Sequence, residues 1–262
     1  MSKIYKTIRK VIRSAIVGTL GLIRKPKNHI HILNGHMINW NEPQEKSMEH
    51  FRGILSKLKE ECSFVMAQDA VSMILDSKRV DKPTLAFTFD DGFEDCYTHI
   101  APVLDEFGVN AIFFINPNFV EPKKEYIDVF LRTTCSPNKR PLTWKQLKDL
   151  QARGYIIGAH TMDHYMINSD DMAELEHQIG DCKKIIEEKL GTPCEYFAFP
   201  FGRLEHANSK AIDIACKHYK YVFSQSDYKH YFSFDGRVIN RRHFEPFWPY
   251  SHTRFFISFD KK

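Results

Sequence analysis

The sequence predicts an α/β fold, a parallel barrel with its helices outside, and three observations carry the prediction. Short apolar runs of strand length alternate along the chain with stretches whose apolar residues recur at helical spacing. Two of those runs end in carboxylates or histidines, at the strand ends where parallel α/β folds build their sites. The length, 262 residues with 43% hydrophobic content, 21 Phe and 11 Tyr, suits one such domain with a substantial core and excludes disorder.

The first element is set apart by charge. Between Ile4 and Ile16 a helical wheel places Ile4, Ile8, Val11, Ile12, Ala15 and Ile16 on one side. Lys3, Lys6, Arg9, Lys10 and Arg13 gather on the other, and an apolar run from Ser14 to Ile23 leads into Arg24-Lys-Pro-Lys27. That run is too short to span a bilayer, which takes about twenty residues. Basic residues throughout and no convincing small-x-small cleavage site argue against a secretory signal. Residues 1–27 are therefore expected to form a basic amphipathic helix touching an anionic membrane through residues 3–24, with residues 28–262 as the barrel domain. A helix packed on the barrel is the alternative.

The barrel elements follow in order. A strand near 30–37 leads to a helix from Ser47 to Glu61, with Phe51, Ile54, Leu55 and Leu58 at helical spacing. A short strand at Phe64–Met66, a helix near 68–76 and the strand from Thr84 come next. A helix at 96–107 and a strand at Val109–Ile115 continue the alternation. Residues 116–142, rich in Asn, Pro and Lys, read as an irregular surface insertion near the substrate groove. A helix at 143–153, a strand at Tyr155–Ala159, a long helix at 170–190 and two further units complete the chain to a late strand around 237–244.

Chemistry concentrates at two strand ends. In Thr84-Leu-Ala-Phe-Thr-Phe-Asp-Asp-Gly92, neighbouring residues point to opposite sides of the strand, and Gly92 permits a sharp exit. Asp90 and Asp91 can then take different tasks, one binding a metal and the other staying free as a base. A solvated Asp-Asp turn is the bland alternative. The second strand runs into His160-Thr-Met-Asp-His164. Histidines four apart share one side of a helical turn, with roughly 5–6 Å between Cβ atoms, and so suit a single divalent ion. The spacing is not His-Glu-x-x-His, which removes the metalloprotease reading. One carboxylate and two histidines leave open positions on a metal, as catalytic rather than structural sites do.

Phe87-Thr-Phe-Asp-Asp-Gly92, His160-Thr-x-x-His164 and Phe197-Ala-Phe-Pro-Phe-Gly202 together resemble the NodB-homology polysaccharide deacetylases, carbohydrate esterase family four, over roughly residues 30–245. The resemblance implies a distorted TIM-like (β/α)7 barrel. By position it implies Asp90 as catalytic base and Asp91, His160 and His164 as ligands of one divalent ion. Zinc is the expected metal, with cobalt, nickel, manganese or iron as alternatives. Ala198 stands where most members have an arginine, which points to the circularly permuted subgroup acting on poly-N-acetylglucosamine. In that subgroup the acid histidine lies in an early Ile-Leu-x-Tyr-His strand. Here Ile32-Leu-Asn-Gly-His36 carries Gly35 in the tyrosine's place and makes His36 the candidate acid. The subgroup's replacement arginine comes from a late strand, so Arg241 or Arg242 is expected to orient the base, Arg241 being preferred. Resemblance also assigns the Phe201 backbone N–H to the oxyanion.

The implied activity is N-deacetylation of an N-acetylhexosamine in a bacterial surface glycan or its precursor. An O-acetyl esterase, another carbon–nitrogen hydrolase on the same scaffold, or a catalytically silent glycan-binding protein are the alternatives. A net charge of +4 without a basic–aromatic array excludes a nucleic-acid partner. Six scattered cysteines with no Cys-x-x-Cys pair suggest reduced thiols, hence a cytoplasmic enzyme at the inner membrane, with export as the alternative. Trp40 and Trp144 read as packing residues and Trp248 as the better candidate for a substrate contact.

Overall fold

A computed structural model describes residues 3–39, 44–120, 124–134, 139–225, 227 and 229–262, so Trp40 and Cys135 lie outside the described residues. The strands are β1 (Ile30–Gly35), β2 (Ser63–Phe64), β3 (Thr84–Phe89), β4 (Ala111–Ile115), β5 (Ile156–Ala159), β6 (Tyr196–Ala198), β7 (Tyr221–Ser224), β8 (Phe232–Ser233), β9 (Val238–Asn240) and β10 (Arg242–His243). The order is β10-β1-β3-β4-β5-β6-β7-β9-β8, parallel throughout except for the β8·β9 pair. Apart from β8, which flanks β9, its two ends belong to one segment. β9 pairs with β7 and β10 with β1, and only Arg241 separates them. The segment 238–243 thereby closes a distorted barrel, as the alternation of elements and the resemblance both predict.

The strand period sorts side chains into two layers. Leu85, Phe87 and Phe89 face outward and pack with Phe51, Leu55 and Leu58 of α2 (Gln44–Glu61). Ala86, Ile112, Phe114, Phe223 and Ile239 face inward, where Ala67, Ala70, Val71 and Ile74 of α3 (Ala67–Leu75) join them. This apolar plug fills the end of the barrel where the strands begin. Polar side chains are left to the other end, and β3 delivers Asp90 there.

Several expectations need correction. Residues 116–142 are not wholly irregular, because α5 (Pro117–Val120) and α6 (Lys124–Thr133) form within them. Phe119, Phe130 and Leu131 pack there against Phe93 and Met37, a burial that outweighs the local Asn and Pro content. The helix at 96–107 opens with a π-helical stretch, Cys96–Ile100, before α4 (Ala101–Glu106). Pro102 sits in the first turn of α4 and cannot donate a backbone bond to the turn before it. The helix at 170–190 divides into α8 (Met172–Glu176), a π-helical His177–Asp181 and α9 (Cys182–Leu190). α7 (Trp144–Ala152) starts on a capping box, in which Thr143 and Gln146 bond each other's backbone N–H groups.

α10 (Ser209–His218) precedes β7, and α11 (Tyr250–Phe256) follows the closing segment. The N-terminal helix α1 (Lys3–Ile23) lies along α11. Ser14 Oγ is 3.3 Å from His252 Nε2, and Arg254 donates to the carbonyls of Gly21 and Leu22 at 2.8 and 2.9 Å. A Cβ at Gly21 would fall 1.7 Å from the Ser251 carbonyl oxygen, so this approach needs glycine. No helix among the described residues is long and apolar enough to cross a membrane.

Candidate active site

Asp90 continues the inward row of β3 and meets Arg241 at the junction of β9 and β10. Nη1 of Arg241 donates to Oδ1 at 2.8 Å and Nη2 to Oδ2 at 2.9 Å, a bidentate pair. The same guanidinium donates to Asn34 Oδ1 (2.6 Å), Thr88 Oγ1 (3.0 Å) and the Ser224 carbonyl (3.0 Å), and lies 4.9 Å over the Phe114 ring. Burial alone would raise the Asp90 carboxyl, but the adjacent Arg241 charge holds it below the usual carboxylate range. Arg242 points the other way and donates to the carbonyls of Phe256 and Phe259. Strand alternation separates the two arginines, and it is Arg241 that reaches the site.

Asp91, His160 and His164 offer three ligand atoms within 4.8 Å of one another. Asp91 Oδ1 stands 3.6 Å from His160 Nε2 and 3.3 Å from His164 Nε2, and is buried without a hydrogen-bond partner. Two ligands of one ion at bond lengths near 2.1 Å are about 3.0–3.4 Å apart, a separation that His164 meets and that His160 exceeds by a few tenths of an ångström. His160 Nδ1 donates to the Ala198 carbonyl at 2.7 Å. A carbonyl only accepts, so the ring proton is on Nδ1 and the Nε2 lone pair faces Asp91. Burial pushes the His160 pKa down to about 4, which keeps the ring neutral, the state a metal ligand needs. The donor set therefore fits a metal ion.

The local backbone differs from the helical turn expected for the two histidines. Residues 161–164 form a tight turn in which Thr161 and His164 have φ of +64° and +60°. Asp91 (+76°) and Phe201 (+62°) share the left-handed conformation. Such residues cost of order 1–3 kcal/mol each, and they cluster here around one point. At Asp91 the unusual φ turns toward the histidines a side chain that strand alternation would send outward.

His36 stands on the other wall. Its Nδ1 is 2.6 Å from Glu245 Oε1, and its backbone N–H donates to Oε2 at 3.2 Å. His243 Nε2 also reaches Oε1, at 3.0 Å. Burial disfavours the imidazolium, but Glu245 outweighs it and, with Asp91 and Asp90, raises the His36 pKa to about 10. Gly35 before it allows close passage, since a Cβ there would meet Phe89 at 3.0 Å and the Phe244 carbonyl at 3.2 Å.

These groups line one cleft of about 300 Å³, which brings together Asp90, Asp91, His160, His164, His36 and Phe201. The Phe201 ring lies 4.7 Å from that of His164 and is 41% exposed at the mouth. Trp248 stacks on Phe256 and stands 4.7 Å from His243 at the rim, whereas Trp144 packs against the core. Glu245, Asn34, Thr88 and Gln225 were not assigned from sequence. For Glu245 a signal existed, a lone carboxylate two residues beyond His243 at a strand end. Asn34 and Thr88 could have been found as polar residues in the inward phase of otherwise apolar strands.

The parallel strands and the carboxylates and histidines gathered at their ends define a NodB-type distorted barrel with a candidate metal site. The chain belongs to the polysaccharide deacetylase family, whose sequence model matches residues 77–220. Among curated proteins it resembles YxkH of Bacillus subtilis, named for polysaccharide deacetylation, with 24% identity over 164 residues. That match covers 63% of this chain and 50% of YxkH, so the chain spans about half the length of the curated relative. Among solved structures, IcaB from Ammonifex degensii superposes with a TM-score of 0.69 at 20% identity, covering 89% of this chain and 98% of that one. The Streptococcus pyogenes deacetylase PplD gives 0.67 at 21% identity, covering 87% and 97%. These likenesses concern the fold, a NodB-type distorted barrel.

Proposed function

We propose that the protein is a metal-dependent N-deacetylase acting on an N-acetylhexosamine of a bacterial surface glycan or its precursor. One observation carries the reading. The ionised Asp90–Arg241 pair lies beside Asp91, His160 and His164, a ligand set whose buried Asp91 Oδ1 lacks a partner. A divalent ion held there, zinc in the first instance, would polarise the acetamide carbonyl and acidify water at the site. Asp90, fixed by Arg241, takes a proton as water attacks the carbonyl carbon. By family resemblance, the backbone N–H of Phe201 would stabilise the developing oxyanion. His36 delivers a proton to the departing sugar nitrogen, and acetate and a free amine result. An amine leaves only when protonated, and an imidazole held protonated at neutral pH by Glu245 supports amide over ester hydrolysis. The free thiols of Cys62, Cys96, Cys182, Cys194 and Cys216 support a cytoplasmic location.

The test is a mass-spectrometric screen of polymeric, lipid-linked and nucleotide-linked N-acetylhexosamines, with metal added and removed. Metal-dependent loss of an acetyl group with matching acetate and amine is the expected result. Acetate released with a free hydroxyl would show an esterase instead.

A further inference from the structure

The orientation of α1 points to a second surface. The helix meets α11 through its small and polar residues, Ser14, Gly18 and Gly21. Its apolar residues Val11, Ile12, Ile16, Leu20, Leu22 and Ile23 stay between 37% and 71% exposed. A helix serving only to cover the barrel would turn that side inward. Every charged residue among the first 27 is Lys or Arg, so cations flank the exposed stripe on a segment free of carboxylates. Pairing two such helices would bring like charges together along the seam, whereas anionic headgroups would neutralise them. We propose that the outward side of α1 seats on the surface of an anionic lipid bilayer, lying in the interface rather than crossing it.

The placement also relates that surface to the cleft. α1 crosses α11, with Ser14 beside His252, Gly21 against Ser251 and Arg24 over Phe259 at 4.3 Å. α11 directly follows the segment carrying Glu245 and Trp248, so its first residues lie at the cleft rim. The part of α1 before Ser14 extends roughly 16 Å past this contact, at 1.5 Å per residue. A bilayer held by this helix is thereby linked, through α11, to the segment that carries Glu245 at the cleft.

The experiment is flotation of the full chain with vesicles of phosphatidylglycerol and phosphatidylcholine, against vesicles of phosphatidylcholine alone. Binding is expected only to the anionic vesicles, weakening as salt is raised. Ile12→Glu with Ile16→Glu should reduce affinity by at least about tenfold, since both residues are exposed in the free protein and would be buried in the interface. Arg9→Gln with Arg13→Gln should flatten the salt dependence. Unchanged circular dichroism of both variants excludes misfolding as the cause. Undiminished binding by the glutamate variant, or none by the wild type, would overturn the proposal. So would sedimentation of the wild type as a dimer that the glutamate variant splits, because a second copy would then cover the stripe. None of these readouts depends on hydrolysis.

Discussion

Two clusters of one carboxylate and two histidines share the cleft, alike in composition and opposite in hydrogen bonding. In Asp91, His160 and His164 the carboxylate oxygen between the rings is buried and unpartnered. In His36, His243 and Glu245 the carboxylate is saturated, with contacts at 2.6, 3.0 and 3.2 Å. An unpartnered buried oxygen costs about 1–3 kcal/mol and persists where something else completes it. A saturated one holds its partners still and shifts their proton affinities. Residue types alone do not separate a metal site from an acid site, but the hydrogen-bond inventory around them does.

The largest expected effect breaks the first cluster and spares the second. Asp91→Ala should lose bound metal and reduce turnover to background, while Glu245→Ala should keep its metal, measured by elemental analysis. Metal loss from both variants would mean that the clusters share an ion. Next in size, His36→Ala should keep metal and lose on the order of 10²–10⁴ in turnover on an amide substrate. Near-normal rates there would move the acid role to His243.

The smallest effect sharpens the second cluster. Glu245 helps raise the His36 pKa from 6.5 to about 10, so Glu245→Gln should move the alkaline limb of the pH–rate profile downward. The stability contribution of protonated His36 is fully present below pH 6.5 and lost as pH rises through about 10. Glu245→Gln should therefore flatten the alkaline limb of a denaturation series. An unmoved profile would show that Glu245 only packs against His36.

Much of the barrel could be read from the chain, because strand and helix periods are local. The strand from Thr84 to Phe89 shows its alternation directly, and its end marks where Asp90 emerges. The two helices within 116–142 were not legible, since distant Phe93 and Met37 bury Phe119 and Phe130. The tight turn of residues 161–164 was equally hidden, because a four-residue spacing fits a helical turn as readily as a left-handed one.

By itself the sequence determined the order of the barrel's main strands and helices, the amphipathic character of α1 and the two strand-end clusters, all of which depend on near neighbours in the chain. Only the tertiary structure decided that Arg241 and not Arg242 meets Asp90, because the phase of a strand is set by which wall of the barrel it closes. Tertiary structure also decided that Glu245 joins His36, a contact across 209 positions that no local period encodes. The outward turn of α1 has the same origin. Gly21 lets its backbone meet Ser251, and that close approach directs the apolar side away from the barrel.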